Sequence, residues 1–219
     1  MKRSRIIVVA VVLLLILGAV AYMVSRKEDK TKTATTTKPT SSKTTNTSNF
    51  APVSTTGLAL TATISTPLDG GTTATATLVS DGKGTTQYKA DQGGQQVEIT
   101  YTTDAYYMCT GGQCFKYDIS QSGNSGFDPS SYAYTPAQLS TYRNTASYKG
   151  KKSCPAGTCD TWSVSSGGAS STIFIDTKTK YISQVESTVS GKKSTVTYEY
   201  KPVSITIPTN YQSITSTPQ

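Results

Sequence analysis

The chain contains no histidine among its 219 residues. That absence removes the Ser-His-Asp and Cys-His triads, a histidine general base and the histidine-bearing zinc sites of hydrolases. Aromatics other than tyrosine are scarce: one tryptophan and four phenylalanines stand against 14 tyrosines. Tyrosine must therefore carry much of the core, with its hydroxyl reaching backbone or water. Acidic residues are also few, 13 against 21 lysines and arginines, for a net charge of +8. The excess lies at the N-terminal end, because from Phe50 onward about 12 basic residues face about 11 acidic ones. That near balance lacks the concentrated basic stripe of a nucleic-acid binder. No Gly-Lys is followed by Ser or Thr, so a phosphate loop is absent as well.

What remains offers little catalytic chemistry. Ser80-x-x-Lys83 and Ser190-x-x-Lys193 fall in predicted hairpin turns and lack the partner motifs of penicillin-recognising enzymes. Asp69, Asp81 and Asp91 sit beside turn glycines, and Asp176 opens an Asp-Thr-Lys-Thr turn, so turn formation accounts for these carboxylates. The expectation is a chain with no catalytic residue, no metal ligand and no cofactor.

Long hydrophobic runs are limited to one, residues 6–24 (IIVVAVVLLLILGAVAYMV), preceded by the basic tail MKRSR at residues 1–5. As a helix it matches the ~30 Å hydrocarbon thickness of a bilayer, and it is longer than a signal-peptide core. It reads as a transmembrane anchor; Ala19-Val20-Ala21 offers the alternative of a cleaved signal. Residues 25–49, almost all Thr, Ser, Lys and Asn, have nothing to bury and read as a disordered linker spanning about 25–30 Å. The short tail without acids, set against a cysteine-bearing domain at residues 50–214, places the N-terminus in the cytoplasm and the domain outside a single-pass membrane anchor.

From Phe50 the dominant period is two. Leu58-Leu60-Ala62-Ile64, Ala74-Ala76-Leu78, Val97-Ile99-Tyr101, Phe115-Tyr117-Ile119, Trp162-Val164, Ile173-Ile175, Val196-Tyr198-Tyr200 and Val203-Ile205-Ile207 each alternate with polar residues, as half-buried strands do. Turn clusters such as Asp69-Gly70-Gly71, Gly93-Gly94, Gly167-Gly168 and Gly191-Lys192 separate them and imply antiparallel neighbours. Only residues 135–143 (TPAQLSTYR) read as helix: Thr135 caps, Pro136 suits the first position, Gln138 completes a capping box, and Leu139, Tyr142 and Ala146 share a face. Nine or so strands each present an apolar face, with one or two short helices to cover them. The sheet must pack as a sandwich, close as a barrel, or curl around an apolar cavity.

The four cysteines form two C-x₄-C pairs, Cys109 with Cys114 and Cys154 with Cys159, each bracketing a Gly- or Pro-containing loop between β-like segments. Facing residues across a hairpin lie about 4.5–5.5 Å apart at Cα, within disulfide reach, so two local clasps are expected. The rival is a four-thiolate zinc site, which would need both hairpin tips to meet and the thiols to stay reduced.

Residues 171–208 carry a further pattern: a strand ending in Asp176, the turn Thr177-Lys178-Thr179, a strand through Gln184-Val185-Glu186, a glycine turn, a Tyr-rich strand, and a V-x-I-x-I-P ending at Pro208. This resembles the closing meander of the LolA/LolB-like half-barrels, carriers of lipoproteins and lipids. The resemblance implies a mainly β domain: a strongly curved antiparallel sheet, a half-barrel, wrapped around one or two short helices. It implies also a hydrophobic cavity for acyl chains. Leu139 and Tyr142 would form its lid, with Trp162, Ile173, Ile175, Tyr198 and Tyr200 lining it. The expected function is binding of a membrane lipid or lipidated protein in a cell envelope of bacterial type. The alternative is a structural or adhesive surface module with a self-packed sheet. The chain departs from the carriers in lacking a lipobox and in its Tyr and Thr richness.

Overall fold

The computed structural model describes residues 49–68, 71–92, 94–119, 133–166, 169–189 and 192–214. The basic tail, the apolar run at 6–24 and the linker as far as residue 48 lie outside them, as do Asp69, Gly70, Gly93, Gly167, Gly168, Ser190 and Gly191. Among the described residues no helix is long and apolar enough to cross a membrane.

Period-two segments pair into one open, curved sheet of 12 strands. In chain order these are β1 (Leu60–Pro67), β2 (Thr73–Ser80), β3 (Thr86–Gln92), β4 (Gln95–Tyr101), β5 (Ala105–Thr110), β6 (Gln113–Asp118), β7 (Ser147–Cys154), β8 (Gly157–Ser166), β9 (Ala169–Asp176), β10 (Ile182–Val189), β11 (Lys192–Glu199) and β12 (Gln212–Ile214). The helix α1 (Pro136–Arg143) precedes β7. The lateral order is β12-β6-β5-β4-β3-β2-β1-β11-β10-β9-β8-β7. Two antiparallel meanders, β1 to β6 and β7 to β11, thus meet where β1 pairs with β11. This is the mainly β, curved-sheet architecture with a short helix expected from the sequence.

Register assigns the two faces. Ala62 opposes Leu78 and Tyr198, while Trp162 opposes Ile173, which opposes Val185. These side chains share one face, which we call inner. Leu60, Leu78, Ile173 and Ile182 are fully buried there, each contributing about 1.5–3 kcal/mol relative to exposure. The outer face across β2, β1, β11 and β10 carries Thr77, Thr63, Thr197 and Gln184 in one cross-strand row.

Turns follow their local chemistry. Asp81 accepts from the Lys83 and Thr85 amides, Asp91 from the Gly94 amide, and Asp176 from the Lys178 and Thr179 amides. Gly82, at φ +70°, lies so close to the chain before β1 that an added Cβ would overlap the Gly57 carbonyl, so no larger residue fits that β2–β3 turn. Helix α1 begins as expected, with Thr135 Oγ1 accepting from the Gln138 amide at 3.2 Å and Gln138 Oε1 accepting from the Thr135 amide at 2.9 Å.

The chain corrects the sequence reading at its C-terminal end. Val203, Ile205 and Ile207 form no strand. Instead the chain leaves β11, and β12 pairs in parallel with β6 at the far side of seven strand spacings. At ~4.8 Å each that is ~34 Å, against a reach of ~40 Å for the twelve residues 200–211. These residues therefore run nearly straight across the sheet as a strap. Tyr211 locates the strap on the outer face, since its ring meets Tyr107 edge-on at 5.3 Å and lies beneath the Lys116 ammonium at 6.0 Å. Thr100, at 0% exposure, and Gln87 lie on the outer face along this path, bonded to each other at 3.2 Å. Val203 and Ile205 are half-buried while Ser204 and Thr206 between them are exposed, which mimics a strand's period, but Ile207 is exposed. Strands β3 and β7 carry too few apolar residues to beat clearly in the sequence, with only Tyr88 and Ala90 alternating in β3, whereas β5 is apolar from Ala105 to Cys109 and so shows no alternation.

Candidate functional site

The inner face divides into a sealed half and a half-open one. Over β1, β2 and β8 to β11 the cover comes from two segments. Ahead of β1, Phe50 packs edge-on against Trp162 with ring centroids 5.4 Å apart. Behind it, the Val53 amide donates to the Lys180 carbonyl at 3.0 Å, and Thr55 exchanges backbone and side-chain bonds with Tyr134. The second cover is α1, which lays buried Leu139 and partly buried Tyr142 onto the same cluster, with Ala146 just after it.

All seven residues expected at a cavity or lid converge on this cluster. Leu139, Trp162, Ile173, Ile175 and Tyr198 are buried within it, and Tyr142 and Tyr200 pack against it. Side chains meet around Leu139, Trp162, Ile173 and Ile175, whereas Tyr198 and Tyr200 also border an open cleft. Phe50 and Tyr134 belong to the same cluster, and sequence reasoning does not place them there; Leu60, which joins them, is named by its strand's alternation. Phe50 has a signal, being the first aromatic after the Thr/Ser/Lys tract.

Tyrosines seal this half while keeping their hydroxyls satisfied. The Tyr134 and Tyr198 hydroxyls lie 3.1 Å apart, and Tyr200 donates to the Ile182 carbonyl at 2.8 Å. Burial first, and then the neighbouring Tyr198, holds the Tyr134 phenol well above its ordinary pKa, and burial likewise raises Tyr200. Both stay neutral and serve as hydrogen-bonding wedges, not as acids or bases.

Across β4 to β6 the inner face changes character. Val97 and Ile99 (β4), Tyr106 and Met108 (β5), and Phe115 and Tyr117 (β6) alternate onto it and are only half-buried, outside the sealed cluster. Tyr101, Tyr106 and Tyr117 oppose one another in register and stack with centroids 5.8 and 4.7 Å apart, forming an aromatic ladder toward the β6 side. The result is a continuous apolar strip adjoining the sealed half.

The cysteines form two hairpin clasps. Cys109 and Cys114 oppose each other directly, with Cα atoms 4.1 Å apart. Cys154 bonds Cys159 at a Cα separation of 5.9 Å, although Cys154 opposes Gly157 in register, so this clasp is diagonal. Each closes its own hairpin tip, and no four-thiolate site forms. Among the described residues no group of three or more His, Cys, Asp or Glu side chains could hold a metal ion. Ser80 works in its turn, its Oγ accepting from the Gly82 amide at 3.3 Å.

No protein-family model matches the chain, and no curated protein is similar to it in sequence. Several solved structures are similar to it. LprF from Mycobacterium bovis is 12% identical, over 70% of this chain and 90% of that one, with a TM-score of 0.47. The MucA/MucB complex of Pseudomonas aeruginosa is 13% identical, over 64% of this chain and 50% of that one, with a TM-score of 0.36. A LolA-superfamily protein from Nitrosomonas europaea is 8% identical, over 65% of this chain and 83% of that one, with a TM-score of 0.27. These are likenesses of general shape alone.

Proposed function

We propose that this chain is a membrane-tethered, extracytoplasmic, non-catalytic domain that binds a lipid or a lipidated protein on the inner face of its curved sheet. The observation that carries the reading is the strip of Val97, Ile99, Met108 and Phe115, apolar yet incompletely buried, running into the tyrosine ladder. Acyl chains laid along it gain hydrophobic burial at about 25 cal/mol per Å², while the tyrosine hydroxyls can meet an ester or headgroup at its margin.

Helix α1 is the movable cover in this reading. Eight residues are marginal as an isolated helix, so its position depends on Leu139 and Tyr142 resting on the cluster. Lifting it would extend the strip over Trp162, Ile173 and Ile175. Residues 6–24 act as the anchor in the cell membrane, with the N-terminus cytoplasmic, and residues 25–49 as a tether of about 25–30 Å that keeps the domain near its lipid source.

The test is lipid uptake by the purified full-length protein. Mass spectrometry of its organic extract is expected to find bound lipid, and lipids with brominated acyl chains are expected to quench Trp162, the sole tryptophan. Met108→Asp and Phe115→Asp are expected to weaken uptake at least about tenfold, because each puts a charge against an acyl chain. A protein that neither copurifies with lipid nor takes it up would overturn the carrier reading in favour of a structural or adhesive module.

A further inference from the structure

The outer face holds a second concavity, separate from the apolar strip. It is an open cleft of ≈ 490 Å³ at the end of the sheet where β1 begins and β11 ends. Its floor is formed by Thr61, Thr63 and Thr197, which share the outer face by register. One wall is Pro155 and Ala156, the tip of the clasped β7–β8 hairpin, held down by the Ala156 amide donating to Ser183 Oγ at 3.3 Å. Ser183 can accept this bond because it sits at the irregularity between Ile182 and Gln184 in β10. The far end is closed by Asp176, Thr179 and Tyr181 of the β9–β10 turn, and Glu199 borders the mouth.

Three properties of the lining select a ligand class. Hydroxyls dominate it, and each can both donate and accept. Its charged members are the carboxylates Asp176 and Glu199, the latter paired with Lys201 at 2.9 Å at the mouth, and no lysine or arginine lines the interior, so an anion entering it would meet Asp176 with no cation to hold it. Tyr181 supplies aromatic surface beside the polar floor, while Tyr198 and Tyr200, whose stacked rings belong to the inner cluster, border the cleft from that side. Acyl chains would leave the floor hydroxyls unpaired. A neutral saccharide, with alternating hydroxyl donors and acceptors and apolar C–H faces, satisfies the lining throughout.

We propose that this outer-face cleft is a saccharide-binding site for a short neutral glycan, independent of lipid binding on the inner face. The glycan could be free or the headgroup of a glycolipid; the chemistry recognised is the same.

The full-length chain, kept in a zwitterionic, sugar-free detergent, is titrated with chitotetraose, cellotetraose and galactobiose. In parallel, it is mixed with phosphatidylcholine vesicles with and without digalactosyl diacylglycerol. At least one soluble sugar, or the glycolipid vesicle alone, is expected to bind, with amide shifts at Tyr181, Ser183 and Thr197. The double variant Thr63→Val/Thr197→Val is expected to lose at least about tenfold in affinity, while Thr63→Ser/Thr197→Ser, which keeps both hydroxyls, retains it. Binding of no probe would overturn the proposal, as would affinity indifferent to the valines or shifts confined to Tyr101, Tyr106 and Tyr117. If the valine variant fails to fold, the shift map of the unaltered chain decides alone.

Discussion

The ring of Phe50 stands edge-on to the indole of Trp162, with centroids 5.4 Å apart and planes at 82°, and exposure of the two residues is 0% and 2%. This contact pins the segment ahead of β1 onto β8, a strand of the second meander. Phe50→Ala is expected to cost about 3–5 kcal/mol, as large aromatic truncations in cores do. Urea unfolding followed by the single tryptophan reads it directly: the midpoint falls and native emission shifts to the red as water reaches Trp162. An unchanged midpoint would mean that the N-terminal cover is dispensable.

Asp176 should make stability depend on acid. Burial raises its carboxyl pKa, but the Thr179 hydroxyl at 2.7 Å and the Lys178 and Thr179 amides outweigh that and leave it below the ordinary carboxylate value. A carboxyl lowered in the folded state contributes stability above its unfolded pKa of about 3.9 and loses it as pH falls through the folded value. At pH 7, Asp176→Asn is expected to lower stability by about 1–2 kcal/mol. The gap between the two proteins should shrink below about pH 4, as comparison of urea midpoints at pH 7 and pH 3 would show.

The strap is held at its end by Tyr211 on Tyr107, and β12 contributes only three exposed residues in parallel pairing. Tyr211→Ala is therefore expected to cost only about 1 kcal/mol globally. Its larger effect should be local. Hydrogen exchange is expected to quicken in β6, and at Gln87 and Thr100 under the strap, while amides of β9 and β10 keep their protection. Uniform loss across the sheet would show instead that the strap is integral to the global fold.

Peptide mapping of the unreduced protein is expected to recover Cys109 with Cys114 and Cys154 with Cys159, without crossed species. Because each ring is small, replacing either pair by serines is expected to cost only about 2 kcal/mol in the chain-entropy account. A chain that unfolds outright after loss of one clasp would contradict that account.

Features set by near neighbours are legible in the amino-acid order alone. The helix start follows from Thr135, Pro136 and Gln138, the turn at Asp176 from its own next three residues, and both clasps from cysteines five positions apart. The residues named for a cavity or lid fall in one cluster, because period two and the helix period identify the faces they share. Their neighbours Phe50 and Tyr134 escape such reasoning, since each lies in irregular chain and carries no period. The strap misleads for the converse reason: Val203, Ile205 and Ile207 have a strand's alternation without a strand's partner.

By itself the sequence determined the alternation, the hairpins, the helix cap, the clasps and the absence of histidine chemistry, all properties of composition or of residues a few positions apart. Only the tertiary structure decided that the inner face is sealed over β8 to β11 and half-open over β4 to β6, and that the last segment crosses the outer face to β6. Alternation tells a strand which side is apolar. What covers that side depends on contacts such as Phe50 with Trp162 and Tyr211 with Tyr107, between residues about a hundred positions apart, which no local pattern encodes.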